Sequence, residues 1–171
     1  MGKTILFSIF LMICSMDMTG QIQRTFFGLN LGVSTRKEVE NVFKAKQKKI
    51  WFPEDDSFSV RYLSFGGNKW PAVYFYFYNK KLYLIYFSDT ERFTEKNTLY
   101  AVWKRLDVSL MSKYQDYFKD DKSTLYEKEF IDNRTRLKFG YRYVDGIKGI
   151  TLMYTDLRLQ YEMFRNEEDE L

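Results

Sequence analysis

Beyond residue 20 the apolar positions of this chain follow a helical spacing and then a strand spacing, and they do so twice. Val39, Val42 and Phe43 recur at three- and four-residue steps, which marks one face of a helix. Thr35 and Glu38 head that stretch as a T-x-x-E capping box, in which each side chain satisfies an orphan backbone N–H. Lys44, Lys46, Lys48 and Lys49 crowd its end, where cations complement the helix dipole. An anion-binding patch is the functional reading of the same lysines. Trp51-Phe52-Pro53 breaks the helix. Strand spacing follows over residues 58–65, ended by Gly66-Gly67-Asn68, and then over 72–78 and 81–88. Asn79-Lys80 joins the last two, and Asn tolerates the positive φ of a two-residue hairpin turn. The predicted register sets Phe77 against Leu82, Phe75 against Leu84 and Val73 against Tyr86 on one apolar face. On the other it sets Tyr76 against Tyr83 and Tyr74 against Ile85.

A longer helix is predicted over about 94–117. Leu99, Val102, Trp103, Leu106, Leu110, Tyr114 and Tyr117 form one continuous apolar stripe there. Three more strands follow, at 125–131, 135–143 and 150–154. A turn at Asn133-Arg134 pairs Phe130 with Leu137 and Tyr126 with Tyr141. It also pairs Glu129 with Lys138, a charge pair suited to a wet surface. Asp145-Gly146 marks the next turn, and the tail 156–171 fits both a strand extension and a short helix. The expected fold is therefore α+β: two helix-plus-three-strand units, about 26–88 and 89–155, forming an antiparallel sheet packed by helices. No Pro-, Gly- or Ser-rich linker separates them, so residues 21–171 read as one domain with one core.

A different pattern precedes all this. Lys3 is followed by an apolar run from Ile5 to Ile13, and Gly20 closes the segment before Gln21. That is the layout of a secretory signal peptide over residues 1–20, with cleavage expected near Gly20-Gln21. The run falls far short of the ~20 apolar residues that span a bilayer. Cys14, the single cysteine, lies inside the leader, and the chain has no histidine. Removing Lys3 and Asp17 takes one charge of each sign, so the net charge of +4 persists. The cations are scattered rather than gathered into a stripe, which argues against a nucleic-acid partner. A mature chain without cysteine holds together through its core alone, which favours a bacterial periplasmic or extracellular address. Ile13 stands where lipoprotein processing at Cys14 wants a small residue. Glu168-Asp169-Glu170-Leu171 reads as an acidic, solvated terminus.

Leu29-Asn30-Leu31-Gly32-Val33-Ser34-Thr35, continued by Glu38-Val39 and followed by an antiparallel sheet, resembles a known opening. It is similar to that of the β-lactamase-inhibitor-like fold and of the outer-membrane-assembly lipoprotein (SmpA/OmlA) family. In those proteins a glycine, a small residue, a hydroxyl cap and a Glu/Gln-Val pair open the helix. Here one extra residue separates Gly32 from Val39, and the lysine run replaces the usual Gly-x-Pro. The Lys69-Trp70-Pro71 loop and the aromatic hairpin resemble small exported proteins of Gram-negative bacteria. The resemblance implies a fold and an envelope address, and it carries no catalytic residues.

Without histidine, and without cysteine once the leader is gone, there is no Ser-His-Asp triad, cysteine nucleophile or usual zinc site. Carboxylate chemistry remains: Glu54-Asp55-Asp56 and Asp120-Asp121 could supply an acid and a base. Adjacent loop carboxylates are ordinarily just solvated, and no calcium-loop pattern marks them. Gly66-Gly67 lacks the strand-to-helix setting of a phosphate loop, so no cofactor and no metal is expected.

The positive signal is aromatic, 14 Tyr and 16 Phe among 171 residues. Phe and Leu suffice for the inner faces, which leaves Tyr74, Tyr76 and Tyr83, with Trp51 and Trp70 beside prolines, as candidate binding residues. Such rings give large contact area at low entropic cost and also stack on sugars. Either the tyrosine face is open or the long helix covers it. Trp70, biased towards extension by Pro71, either projects as an anchor or folds back to plug the sheet end. The sequence points to a non-catalytic exported domain that binds another envelope or extracellular protein through an aromatic surface. A carbohydrate or peptidoglycan-fragment module is the second reading, and a small carboxylate-dependent hydrolase the third.

Overall fold

A computed structural model describes residues 21–144 and 146–169. The expected leader of residues 1–20, Asp145 of the expected turn, and Glu170 and Leu171 of the expected acidic terminus lie outside the described residues. Within them the chain runs β1 (Thr25–Phe26), β2 (Leu29–Asn30), α1 (Arg36–Ala45), β3 (Ile50–Trp51), β4 (Ser57–Phe65), β5 (Asn68–Tyr78) and β6 (Lys81–Thr90). It continues through α2 (Lys96–Tyr114), β7 (Glu127–Ile131), β8 (Thr135–Val144), β9 (Ile147–Asp156) and α3 (Leu157–Asp169). β1 and β2 form a small ribbon; the other strands make one antiparallel sheet in the order β3-β4-β5-β6-β9-β8-β7. The fold is α+β. Among the described residues no helix is long and apolar enough to cross a membrane.

Local chemistry explains the element boundaries. Thr35 caps α1 reciprocally: its hydroxyl accepts from Glu38 N, and its own N–H donates to the Glu38 carboxylate at 2.7 Å. That hydrogen bond, to a charged acceptor, holds the Glu38 carboxyl below its ordinary range. Asn79 and Lys80 both adopt positive φ, 47° and 62°, as a tight hairpin requires. At the β7–β8 turn the Asp132 carboxylate accepts from the N–H groups of Arg134 and Thr135.

Both α1 and α2 pack on one face of the sheet. Phe43 of α1 lies 5.0 Å from Phe75, and Trp103 of α2 stacks on Phe139 at 6.5 Å and 12°. Phe26, at the end of β1, meets Tyr154 edge-on at 4.6 Å. Each fully buried ring of this kind contributes about 1.5–3 kcal/mol. The N-terminal segment is pinned by Arg24, whose guanidinium pairs with Asp156 and donates to the carbonyls of Leu31 and Arg134. Asp156 also caps α3 by accepting from Leu159 N. Gly32 roofs this pair at φ +81°, and a Cβ there would collide with both Asp156 and Arg24. That is the physical reason for glycine within the Leu29–Thr35 motif.

Two expectations need correcting. The β5–β6 register shifts between Tyr76 and Phe77, because Tyr83 forms a bulge. Phe77 does face Leu82, but Phe75 faces Ile85, Val73 faces Phe87, Tyr76 faces Leu84 and Tyr74 faces Tyr86. The bulge turns Ile85 and Phe87 into the core and sends Tyr86 to the opposite face. Glu129 pairs with Lys138 in register as expected, yet it is not on a wet surface. It is only 5% exposed, and its nearer partner is Arg136 at 2.9 Å. The tail takes the helical alternative, as α3.

Candidate functional site

The face opposite α1 and α2 is the candidate binding face. One row of side chains crosses all seven strands on it: Trp51, Ser59, Tyr74, Tyr86, Met153, Lys138 and Glu129 are successive register partners. Tyr74, Tyr86 and Met153 remain half-buried, whereas Val73, Phe75 and Phe87 on the helix side are fully buried. The next row is made of small residues at its centre, Ala72, Ser88, Thr151 and Gly140, between Arg61 and Glu127. A shallow trough results. Over β4–β6 it opens into a cavity of ≈ 200 Å³ walled by Tyr74, Arg61, Arg92, Phe52 and Phe93. Phe52, at 66% exposure, overhangs its rim.

The two ends of the face differ in charge pairing. On β7 and β8 the charges neutralise each other: Glu129 binds Arg136, and Glu127 lies 3.5 Å from Arg142. Among the described residues Arg61 and Arg92 form no ion pair. Arg61 instead rests 4.3 Å from the Trp51 ring, which Lys49 also meets at 4.1 Å. Tyr74 and Tyr86 lie 5.7 Å apart. Partial burial raises the Tyr76 phenol pKa, helped by Tyr74, Tyr86, Tyr83 and Asp56 nearby. Burial raises that of Tyr86 too, against the hydrogen bonds of Arg142 and Ser88. These phenols are neutral donors at physiological pH, suited to hydrogen bonding rather than to nucleophilic chemistry.

α3 closes one end of the face. The Tyr78 hydroxyl accepts from the Asn166 side chain at 2.6 Å, and Arg136 donates to Gln160 at 2.9 Å. Of the residues singled out from sequence, Trp51, Tyr74 and Tyr76 fall on this face. Tyr83 sits at the bulge, half-buried, with its phenol acting on Tyr76. Trp70 does not belong to it. Tyr62 adopts a left-handed φ of 56° opposite Pro71, which breaks the alternation and turns Leu63 and Trp70 inward. Trp70 is 2% exposed, 5.4 Å from Phe87, and its indole N–H donates to the Phe65 carbonyl. Lys69-Trp70-Pro71, expected as a loop, lies within β5 instead, and the buried Trp70 leaves the candidate surface.

The lysines at the end of α1 do not converge. Lys44 pairs with Glu40, Lys46 approaches the Phe27 ring, Lys48 reaches the Tyr62 carbonyl and Lys49 meets Trp51. In the run Glu54-Asp55-Asp56 the backbone carbonyls are engaged, by Arg36 and by Phe77 N. Among the described residues no three acids gather as metal ligands. Tyr86, Arg61 and Met153 were missed from sequence. The signal was there: Leu84-Ile85 interrupts the alternation, and such an interruption is the mark of a bulge.

Comparison with family models, with curated proteins and with solved structures gave no match.

Proposed function

We propose that this chain is a non-catalytic exported domain that docks another envelope or extracellular protein through the open face of its sheet. The observation that supports this most is the half-exposed row Trp51, Tyr74, Tyr86 and Met153 on a sheet whose core is already built on the other side. Aromatic residues, Met and Arg are the types enriched where proteins meet, and large rings in shallow recesses are typical energetic anchors. In the same reading, α1 with β4–β6 and α2 with β7–β9 are two helix-plus-three-strand units joined along the β6–β9 seam. Export rests on the leader-like first twenty residues.

Trp51 weighs against the carbohydrate reading. Two cations already approach its ring within 4.3 Å, so a stacking sugar would have to displace one. Trp70 and Trp103 are both buried, which makes Trp51 the natural fluorescence reporter for a glycan titration. The test is capture from envelope extract with the intact protein, its Tyr74→Ala/Tyr86→Ala variant and Tyr161→Ala on exposed α3 as control. Partners lost from the double variant and retained by the control support docking on the open face. Unchanged capture, or a saturable Trp51 response to soluble glycans alone, overturns it.

A further inference from the structure

On the helix-covered side, where α2 begins and the β8–β9 hairpin ends, lies a cavity of ≈ 550 Å³. Four tyrosines line it, Tyr100, Tyr126, Tyr141 and Tyr143, together with Lys96 and Lys148. It meets the open face at Arg142, and its ligand is independent of the docking proposed there. No acid lines it. Glu91 acts on the Tyr141 phenol from outside the lining, and Arg142 at the rim is already engaged by Glu127.

Three features converge on the cavity. Lys148 holds its ammonium 5.6 Å from the Tyr141 ring and 5.7 Å from that of Tyr143. Neither Lys148 nor Lys96 has an ion-pair partner among the described residues. The first turn of α2, which supplies Lys96 and Asn97 to the lining, contains no acid, and its N-cap residue Glu95 makes no capping hydrogen bond. Among the described residues the amides at that end therefore lack a side-chain acceptor, and they carry the positive end of the helix dipole. The third feature is Tyr141 itself. It is only 9% exposed, and among the described residues its buried hydroxyl has no hydrogen-bond partner. Buried polar groups are paired as a rule, and an exception in a cavity wall calls for a ligand atom or a water. Around it the rings are already ordered, with Tyr100 edge-on to Tyr141 at 5.9 Å and stacked on Trp103 at 5.5 Å.

We propose that this cavity binds a small ring-bearing organic anion. Its acidic group meets Lys148, Lys96 and the α2 N-terminus and accepts a hydrogen bond from Tyr141, while its ring lies against Tyr100, Tyr126 and Tyr143. Cations and amides select the charge, and tyrosine faces select the ring.

The test is a titration of the isotope-labelled protein with 4-hydroxybenzoate, its neutral amide 4-hydroxybenzamide, and glucuronate, followed by NMR. The expected result is saturable shifts at the amides of Lys96, Asn97 and Thr98 with a ring-bearing carboxylate, and binding about tenfold weaker for the amide. Lys148→Gln and Tyr141→Phe should each weaken the carboxylate about threefold or more, with unchanged melting temperature, and added salt should weaken it further. Preference between 4-hydroxybenzoate and glucuronate identifies an aromatic or a sugar acid as the natural class. Failure of both acids to saturate, equal binding of the amide, or indifference to Lys148→Gln overturns the proposal.

Discussion

Phe75 and Tyr76 are one peptide bond apart on β5, yet one is sealed beneath α1 and the other stays half in water. The same contrast runs along the sheet, Val73 against Tyr74 and Phe87 against Tyr86. On the helix side, rings close-pack and their worth is apolar area. On the open side Tyr74, Tyr76 and Tyr86 stay half-buried, each with a polar hydroxyl at the end of its ring. A sheet needs only one covered face to be stable, so the aromatic investment on the second face is surplus to folding. That surplus is the argument for function.

The largest effects should fall on the sealed face. Phe75→Ala and Trp70→Ala should each cost about 3–5 kcal/mol in denaturant unfolding, as for other buried large aromatics. A loss at Trp70 below about 1 kcal/mol would return that ring to the surface and undo its assignment to the core. Next comes the edge that ties the N-terminal segment over this face. Gly32→Ala forces a side chain against Arg24 and Asp156 at positive φ and should cost about 1–3 kcal/mol. On the open face, Tyr76→Ser should cost less than about 1 kcal/mol. Equal losses for Phe75→Ala and Tyr76→Ser would mean that both faces are sealed, and the contrast fails.

The smallest effect probes the polar exception on the sealed side. Asp89 pairs in register with buried Ile150, its Oδ1 has no partner among the described residues, and burial raises its pKa against the Thr94 and Thr90 hydrogen bonds. A raised carboxyl keeps its proton in the folded chain after the unfolded chain has lost it. The contribution of Asp89 to stability is therefore highest below the ordinary carboxylate pKa and falls as pH rises through the window up to the raised value. Asp89→Asn should remove that fall. Its melting temperature should exceed the parent's by a few degrees at pH 7, with the gap closing towards pH 3; a constant gap would locate the effect elsewhere.

Much of the fold was legible because its signals are local. The Thr35–Glu38 box, the Asn79-Lys80 turn and the Leu99–Tyr114 stripe each sit within a few residues of the structure they specify. The expected Phe130–Leu137 and Glu129–Lys138 pairs are also observed. What escaped was produced by single irregular residues with distant consequences. The Tyr83 bulge reassigns every later position of β6, and the left-handed Tyr62 opposite Pro71 reverses Leu63 and Trp70. Both changes answer a demand of the core, which must receive Ile85, Phe87 and Trp70, and that demand comes from α2 and β9, far away in sequence. The candidate face was half legible for the same reason: Trp51, Tyr74 and Tyr76 precede the bulge, whereas Tyr86 follows it.

Hydroxyl-radical footprinting of the intact chain, free and mixed with envelope extract, tests the contrast and its meaning together. Trp51, Tyr74, Tyr76 and Tyr86 should be labelled in the free protein and protected in the extract, while Phe75, Phe87 and Trp70 stay unlabelled in both. Open-face rings that resist labelling when free, or that gain no protection in the extract, would contradict the account.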